Sequence, residues 1–218
     1  MKRIVSALVL FSLALFLQAQ SRTLADVFNY PLSPETTDAF LTTFSSLGEH
    51  PFVRGVFEQE KTLSRLGRSL KSSGNFLIAA DLGMVWDTVS PFPSTLTLGK
   101  DYLVQSRPGG QRTILSAQGN ETFIRLADVI STLFSGHSRG LLDNFAVFFI
   151  DGAVWELGLT PIDRAIGTFA ERIIMTGDRA IRTIEIHEQN GDTTYYVLRN
   201  HSYPTELNVN ESALFTVP

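Results

Sequence analysis

VFEQEKTLSRLGRSLKSSGNFLIAADLGMVWDTVSPFPSTLTLGKDYLVQ, residues 56–105, decides the fold. Phe57 and Gln59 come first, then Gly74-Asn75-Phe76, then Trp86-Asp87 with Pro91, and then Leu96 alternating to Leu98. A repeat of two sends successive side chains to opposite faces of a strand. Strands are predicted over 52–62, 70–79, 84–89, 94–99 and 102–107, the last ended by Pro108-Gly109-Gly110. Connections this short leave no room for crossover helices, so the strands form an antiparallel meander. Aromatic and apolar side chains recur on strand after strand with no catalytic constellation beside them. Such a surface suits an apolar ligand.

Outward from that stretch, a helix is predicted upstream. Ser33 is an N-cap, Pro34 suits the first helical position, and Phe40, Leu41, Phe44 and Leu47 line one face before Gly48 stops it. A second helix is predicted after Asn120, where Phe123, Leu126, Ala127, Ile130, Leu133 and Phe134 share a face up to Gly136. Strands resume over 145–150, 153–158, 169–175, 180–187 and 193–199. Turns are read at Asp151-Gly152, Gly177-Asp178 and Asn190-Gly191-Asp192, the first as a two-residue hairpin loop.

Ten or eleven strands with two amphipathic helices make a mainly β (α+β) chain. The expected fold is a large curved antiparallel sheet, or unclosed β-barrel, covered by a helical lid. One sheet face is the only surface large enough to hide both helical stripes. Where side chains do not fill the space between, a hydrophobic cavity results. Phe57, Phe76, Met84, Trp86, Leu96 and Leu98 are the candidates for its sheet side. Phe40 and Phe44, with Phe123, Leu126, Ile130 and Leu133, are the candidates for the lid. Each position reads equally well as ordinary core packing.

Lys2 and Arg3 followed by the apolar run Ile4 to Leu17 and by Ala19 have the form of a signal peptide, so residues 1–19 are set apart and 20–218 are read as one domain. The apolar run is short for a membrane span. There is no cysteine, hence neither a thiol for lipid attachment nor a disulfide framework. A free, monomeric protein of a bacterial periplasm is expected. The formal net charge of −4 becomes −6 without Lys2 and Arg3, which argues against nucleic acid or an anionic membrane surface as the main partner. Phenylalanine occurs 16 times, and 14 copies remain once Phe11 and Phe16 leave with the leader.

Gly136-His137-Ser138-Arg139-Gly140 fits the Gly-x-Ser-x-Gly nucleophile elbow, and His187 or His201 would follow in hydrolase order. An elbow needs a strand before the serine and a helix after it, whereas a helix is expected before and a strand after. The two glycines are read instead as ending the lid helix. His50, His137, His187 and His201 are scattered without metal-ligand spacing. No catalytic residue, metal or cofactor is expected, and the chain is not read as an enzyme.

Phe57-Glu58-Gln59, Gly74-Asn75-Phe76, Trp86-Asp87 and Pro91, at these spacings, resemble the LolA family of periplasmic carriers that take lipoproteins from the inner to the outer membrane. Leu214-Phe215-Thr216-Val217-Pro218 resembles that family's terminal strand. The resemblance implies an unclosed β-barrel with a helical lid over a cavity for acyl chains. It also implies an inner-membrane lipoprotein-releasing transporter as donor and an outer-membrane acceptor. The Arg-Pro pair whose arginine latches the lid in the family is Ala80-Asp81 here. The turn read as Ser-Asp-Gly is Leu98-Gly99-Lys100-Asp101, followed by Tyr102-Leu103-Val104 in place of a tryptophan.

An acyl chain of about fifteen methylenes costs on the order of 12 kcal/mol to expose to water. A carrier is therefore required wherever such chains cross an aqueous space. Carriage of a glycolipid or phospholipid, or a periplasmic module that senses lipids or stress, are the alternatives. Sensors of this type usually add a second domain.

Overall fold

A computed structural model describes residues 27–110, 112–116, 132 and 138–216. Helix α1 (Pro34–Leu47) is bounded as its sequence dictates. Pro34 sits at its start, the Ser33 and Thr36 side chains cap each other's backbone reciprocally, and Gly48 forms the C-cap. Among the described residues eleven strands follow: β1 (Phe52–Leu63), β2 (Arg68–Ala79), β3 (Gly83–Ser90), β4 (Ser94–Leu98), β5 (Tyr102–Ser106), β6 (Arg112–Ser116), β7 (Phe145–Ile150), β8 (Trp155–Pro161), β9 (Ala170–Gly177), β10 (Ile181–Glu188) and β11 (Thr193–Ser202). Short helices α2 (Ser138–Asn144), α3 (Arg164–Gly167) and α4 (Val209–Leu214) interrupt or end them.

All eleven strands lie in one antiparallel sheet of order β6-β5-β4-β3-β2-β1-β11-β10-β9-β8-β7. The sheet does not close, because β6 and β7 stand at opposite ends. The chain meanders outward from β1 to β6, re-enters at the far edge as β7, and works inward until β11 pairs with β1. The β7 edge is not left bare. Leu32 N–H donates to Val147 O at 2.9 Å and Phe149 N–H to Tyr30 O at 2.9 Å, so the segment before α1 blunts it.

Register sorts the side chains onto two faces. Phe57, Phe76, Ile78, Met84, Leu157, Leu159, Met175, Ile184 and Leu198 share the inner face with Phe40 and Phe44 of α1 in one buried cluster, and half-buried Val53 packs against it. On the outer face, Leu77, Val85, Thr97 and Val104 form a cross-strand row that is also buried. Helix α4 is tied over this face at two points. Arg54 Nη2 contacts Glu211 Oε2 at 2.6 Å, and the Tyr102 hydroxyl donates to Phe215 O at 2.5 Å.

Four expectations require correction. Leu214 ends a helix and Phe215 is its C-cap, so this part of the chain end is no strand. The Asn208 side chain accepts from Glu211 N–H while the Glu211 carboxylate accepts from Asn208 N–H, a reciprocal cap that commits the segment to a helical turn. The loop between β7 and β8 spans residues 151–154 rather than the two residues of Asp151-Gly152. Gly152 is not among the glycines at positive φ, which a tight primed turn requires. Gly140 lies inside α2 and does not turn the chain. Finally, Gly109 and Gly110, at φ 91° and 84°, serve a hairpin leading into β6, a strand the sequence reading lacks. The predicted helix carrying Phe123, Leu126, Ile130 and Leu133 lies outside the described residues, as do residues 1–19, Gly136, His137, Val217 and Pro218.

Candidate functional site

At the centre of the inner face, two phenylalanines cross two glycines. In the β1–β2 register Gly55 faces Phe76 and Phe57 faces Gly74. A Cβ on Gly55 would overlap the Phe76 ring; one on Gly74 would lie 2.9 Å from Phe57 Cε1 and would strike the carbonyl of Asp87. Each ring thus lies flat over the backbone of the strand beside it, where any larger residue would lift it. Both rings then meet Trp86 on β3, Phe57 stacked at 4.1 Å between centroids and Phe76 at 6.0 Å. Tyr196 on β11 meets the same indole edge-on at 5.4 Å. These four rings make an aromatic floor across β11, β1, β2 and β3.

Leu96 opposes Trp86 in register and Leu98 opposes Met84, so all four belong to the same face. Phe57, Phe76, Met84 and Leu98 are buried, whereas Trp86, Leu96, Tyr196 and the neighbouring Leu103 are half-buried. The six residues expected on the sheet side are therefore brought together. Tyr196, Leu103 and Gly55 join them without having been singled out. Tyr196 sits in a visible period-two strand, but only the β11–β1 pairing places it beside Trp86.

Helix α1 occupies one end of this face. The Phe40 ring packs at 5.6 Å on Phe149 and the Phe44 ring at 5.6 Å on Trp155, and both phenylalanines are fully buried. Beneath Leu47, between Val53, Phe76, Ile78 and Leu198, lies a cavity of about 30 Å³. That is room for water and not for an acyl chain. At the α1 end, among the described residues, Phe40 and Phe44 are packed into the buried cluster of the inner face.

Toward the other end the floor grades into polar pairs. Ser72 Oγ donates to Gln59 Oε1 at 3.1 Å, and Lys61 Nζ contacts Glu188 Oε1 at 2.6 Å, which also accepts from Thr194 Oγ1 at 3.0 Å. Burial pushes the Tyr196 phenol up to about 12, and the charge of Glu188 acts in the same direction. His201, edge-on to Phe76 at 5.6 Å, is held below its ordinary value by burial and by the nearby Arg182 guanidinium. A wider cleft of about 470 Å³ lies on the opposite face of the sheet, between Glu58, Glu60, Lys71, Ser73 and Tyr195.

Ser138 is the first residue of α2, and the expected strand, β7, follows that short helix; the sheet is antiparallel throughout, unlike the βα alternation on which an elbow is mounted. His187 lies on β10 with Nε2 2.8 Å from Glu185 Oε1, His201 lies on β11, and His50 stacks on Tyr203 at 4.0 Å. Among the described residues no group of three or more His, Asp or Glu is placed to hold a metal ion. Among them, too, no helix is long and apolar enough to cross a membrane.

No protein-family model matches the chain, and neither does any curated protein. Several solved structures are similar in fold. A LolA superfamily protein from Nitrosomonas europaea is 10% identical, with 83% of this chain and 97% of that one covered at a TM-score of 0.45. A putative outer membrane lipoprotein-sorting protein domain from Vibrio parahaemolyticus is 11% identical over 84% and 97% at 0.42. An uncharacterized conserved protein from Thermus thermophilus is 8% identical over 84% and 94% at 0.48.

Proposed function

We propose that this protein is a periplasmic carrier that binds the acyl chains of lipoproteins on the inner face of its sheet and moves them from the inner to the outer membrane. In this reading a lipoprotein-releasing transporter of the inner membrane is the donor and an outer-membrane acceptor receives the cargo. One observation carries it: an aromatic floor of buried Phe57 and Phe76 and half-buried Trp86 and Tyr196 lies next to a helix whose phenylalanines plug the same face. The resemblance of the Phe57, Gly74 and Trp86 motifs to lipoprotein carriers points the same way.

Such an arrangement exchanges one apolar occupant for another. Unseating α1 exposes Phe40 and Phe44, at about 1.5–3 kcal/mol per side chain. Seating an acyl chain recovers on the order of 12 kcal/mol of exposure. The plug is thus worth less than the cargo, so cargo displaces it, while the plug still lowers net affinity enough for release. No residue in this scheme transfers a proton or a group, and the chain acts by binding alone.

Native mass spectrometry of protein purified from periplasm without detergent tests this directly. A co-purifying acylated peptide or lipoprotein is expected. A glycolipid or phospholipid in its place would keep the floor as a binding site but move the function to general lipid transport. Protein that stays empty after incubation with lipoprotein-loaded membranes would overturn carriage.

A further inference from the structure

The meander from β1 to β6 turns at alternate ends, so the hairpins β1–β2, β3–β4 and β5–β6 all point the same way. Their tips carry unusual side chains. Phe92, between Pro91 and Pro93 at the β3–β4 tip, is 82% exposed, and Leu66 at the β1–β2 tip is 67% exposed. Leu70 and Val89 beside them are more than half exposed as well. A soluble domain has little reason to hold a phenylalanine out on a hairpin tip.

The charge at these tips is just as uneven. Residues 63–73, 88–95 and 105–116 include Arg65, Arg68, Lys71, Arg107 and Arg112 and no acidic residue, in a chain with 22 acidic and 18 basic residues. Lys71 meets Glu60 at 3.5 Å, an exposed pair that water and salt screen. Two acidic side chains from neighbouring turns at this end are committed elsewhere: Asp192 accepts from Ser64 N–H at 3.0 Å, and Asp163 caps α3 through Ala165 and Ile166. The bond from Ser64 to Asp192, with the Ser64 hydroxyl on Gly191 O, braces the β1–β2 tip against the β10–β11 turn. The β1–β2 tip is therefore presented on a fixed frame.

We propose that this end of the sheet docks on an anionic lipid bilayer, with Phe92 and Leu66 entering the headgroup–acyl boundary and Arg65, Arg68, Lys71, Arg107 and Arg112 lying against lipid phosphates. Apolar tips ringed by cations in a net-acidic protein fit a surface that is both greasy and negative. They also orient the molecule, since an anionic membrane repels the remainder of the chain. The proposal stands on the tips alone and holds whatever the inner face binds.

Co-sedimentation with phosphatidylcholine vesicles, with and without phosphatidylglycerol, tests it by comparing variants of the same full chain. Binding is expected only when phosphatidylglycerol is present and is expected to weaken with salt. Reversing Arg65, Arg68 and Lys71 to Glu is expected to weaken it by at least about a hundredfold. Phe92→Asp is expected to weaken it about tenfold or more. These positions are exposed, so unchanged melting temperatures show that the variants remain folded. In Phe92→Trp the added indole is expected to shift its emission to the blue on anionic vesicles. Failure of the unaltered protein to sediment with anionic vesicles, or equal sedimentation of the charge-reversed variant, would overturn the proposal.

Discussion

A methyl group at position 55 would occupy space now held by the Phe76 ring, and one at position 74 would press on Phe57 and on the Asp87 carbonyl. Gly55→Ala and Gly74→Ala are therefore expected to destabilise the protein by about 1–3 kcal/mol. For a chain of this size that is roughly 2–12 °C in Tm, which calorimetry can read. Wild-type melting in both variants would mean the crossed Phe–Gly pairs are not as tight as drawn. Tyr196 offers a second test. Its phenol is neutral below its folded value of about 12, against an ordinary value of 10.0. The raised value means stability from this group is fully present below pH 10 and is lost as pH climbs toward 12. A spectrophotometric titration should show a tyrosine ionising near pH 12, and Tyr196→Phe should remove that late step. Gly74 was legible because it sits in a motif with Phe76. Gly55 was not, because the ring that requires it lies across a hairpin and only the register reveals the pair.

Elements that carry their own punctuation were the legible ones. Ser33, Pro34 and Gly48 bracket α1, and the Phe40 and Phe44 spacing gives its buried stripe, so both ends and the face follow from the letters. Strands β1 to β5 and β7 to β11 follow from alternation for the same reason. Helix α4 has six residues, too few to show a period, and the strand expected at Leu214 and Phe215 comes from the family resemblance alone. What decides it is the side-chain exchange between Asn208 and Glu211, and the Glu211 carboxylate that caps the helix also reaches Arg54 on β1. Glu211→Ala removes the reciprocal cap and a partly exposed ion pair together, about 1–2 kcal/mol of local stability. Backbone amides of residues 209–216 should then exchange with deuterium faster, while those of β1 and β11 keep their rates. Unchanged exchange in 209–216 would show that α4 is held by packing and not through Glu211.

At the scale of the molecule, the sheet divides its inner face between a plug and a floor, a division that no local pattern announces. It depends on β11 returning to pair with β1, a contact between residues more than a hundred apart in sequence. That return sets Tyr196 beside Trp86 and leaves β6 and β7 unjoined. In the proposed carrier, an unclosed sheet would let a bound chain and a seated helix alternate without breaking any strand pairing. Ligand that binds only the folded state adds stability by mass action, about 2.7 kcal/mol at a concentration of a hundred Kd. A palmitoylated peptide is therefore expected to raise Tm by roughly 5–11 °C. Trp86→Ala should shrink this rise, because the indole joins Phe57, Phe76 and Tyr196 into one floor. Phe92→Asp should leave the rise intact, because that side chain stands on a hairpin tip and not on the inner face. A rise equally large in Trp86→Ala would place the acyl chain elsewhere on the protein, and no rise at all would count against the floor as an acyl site. The two variants thus separate holding the cargo from reaching the membrane.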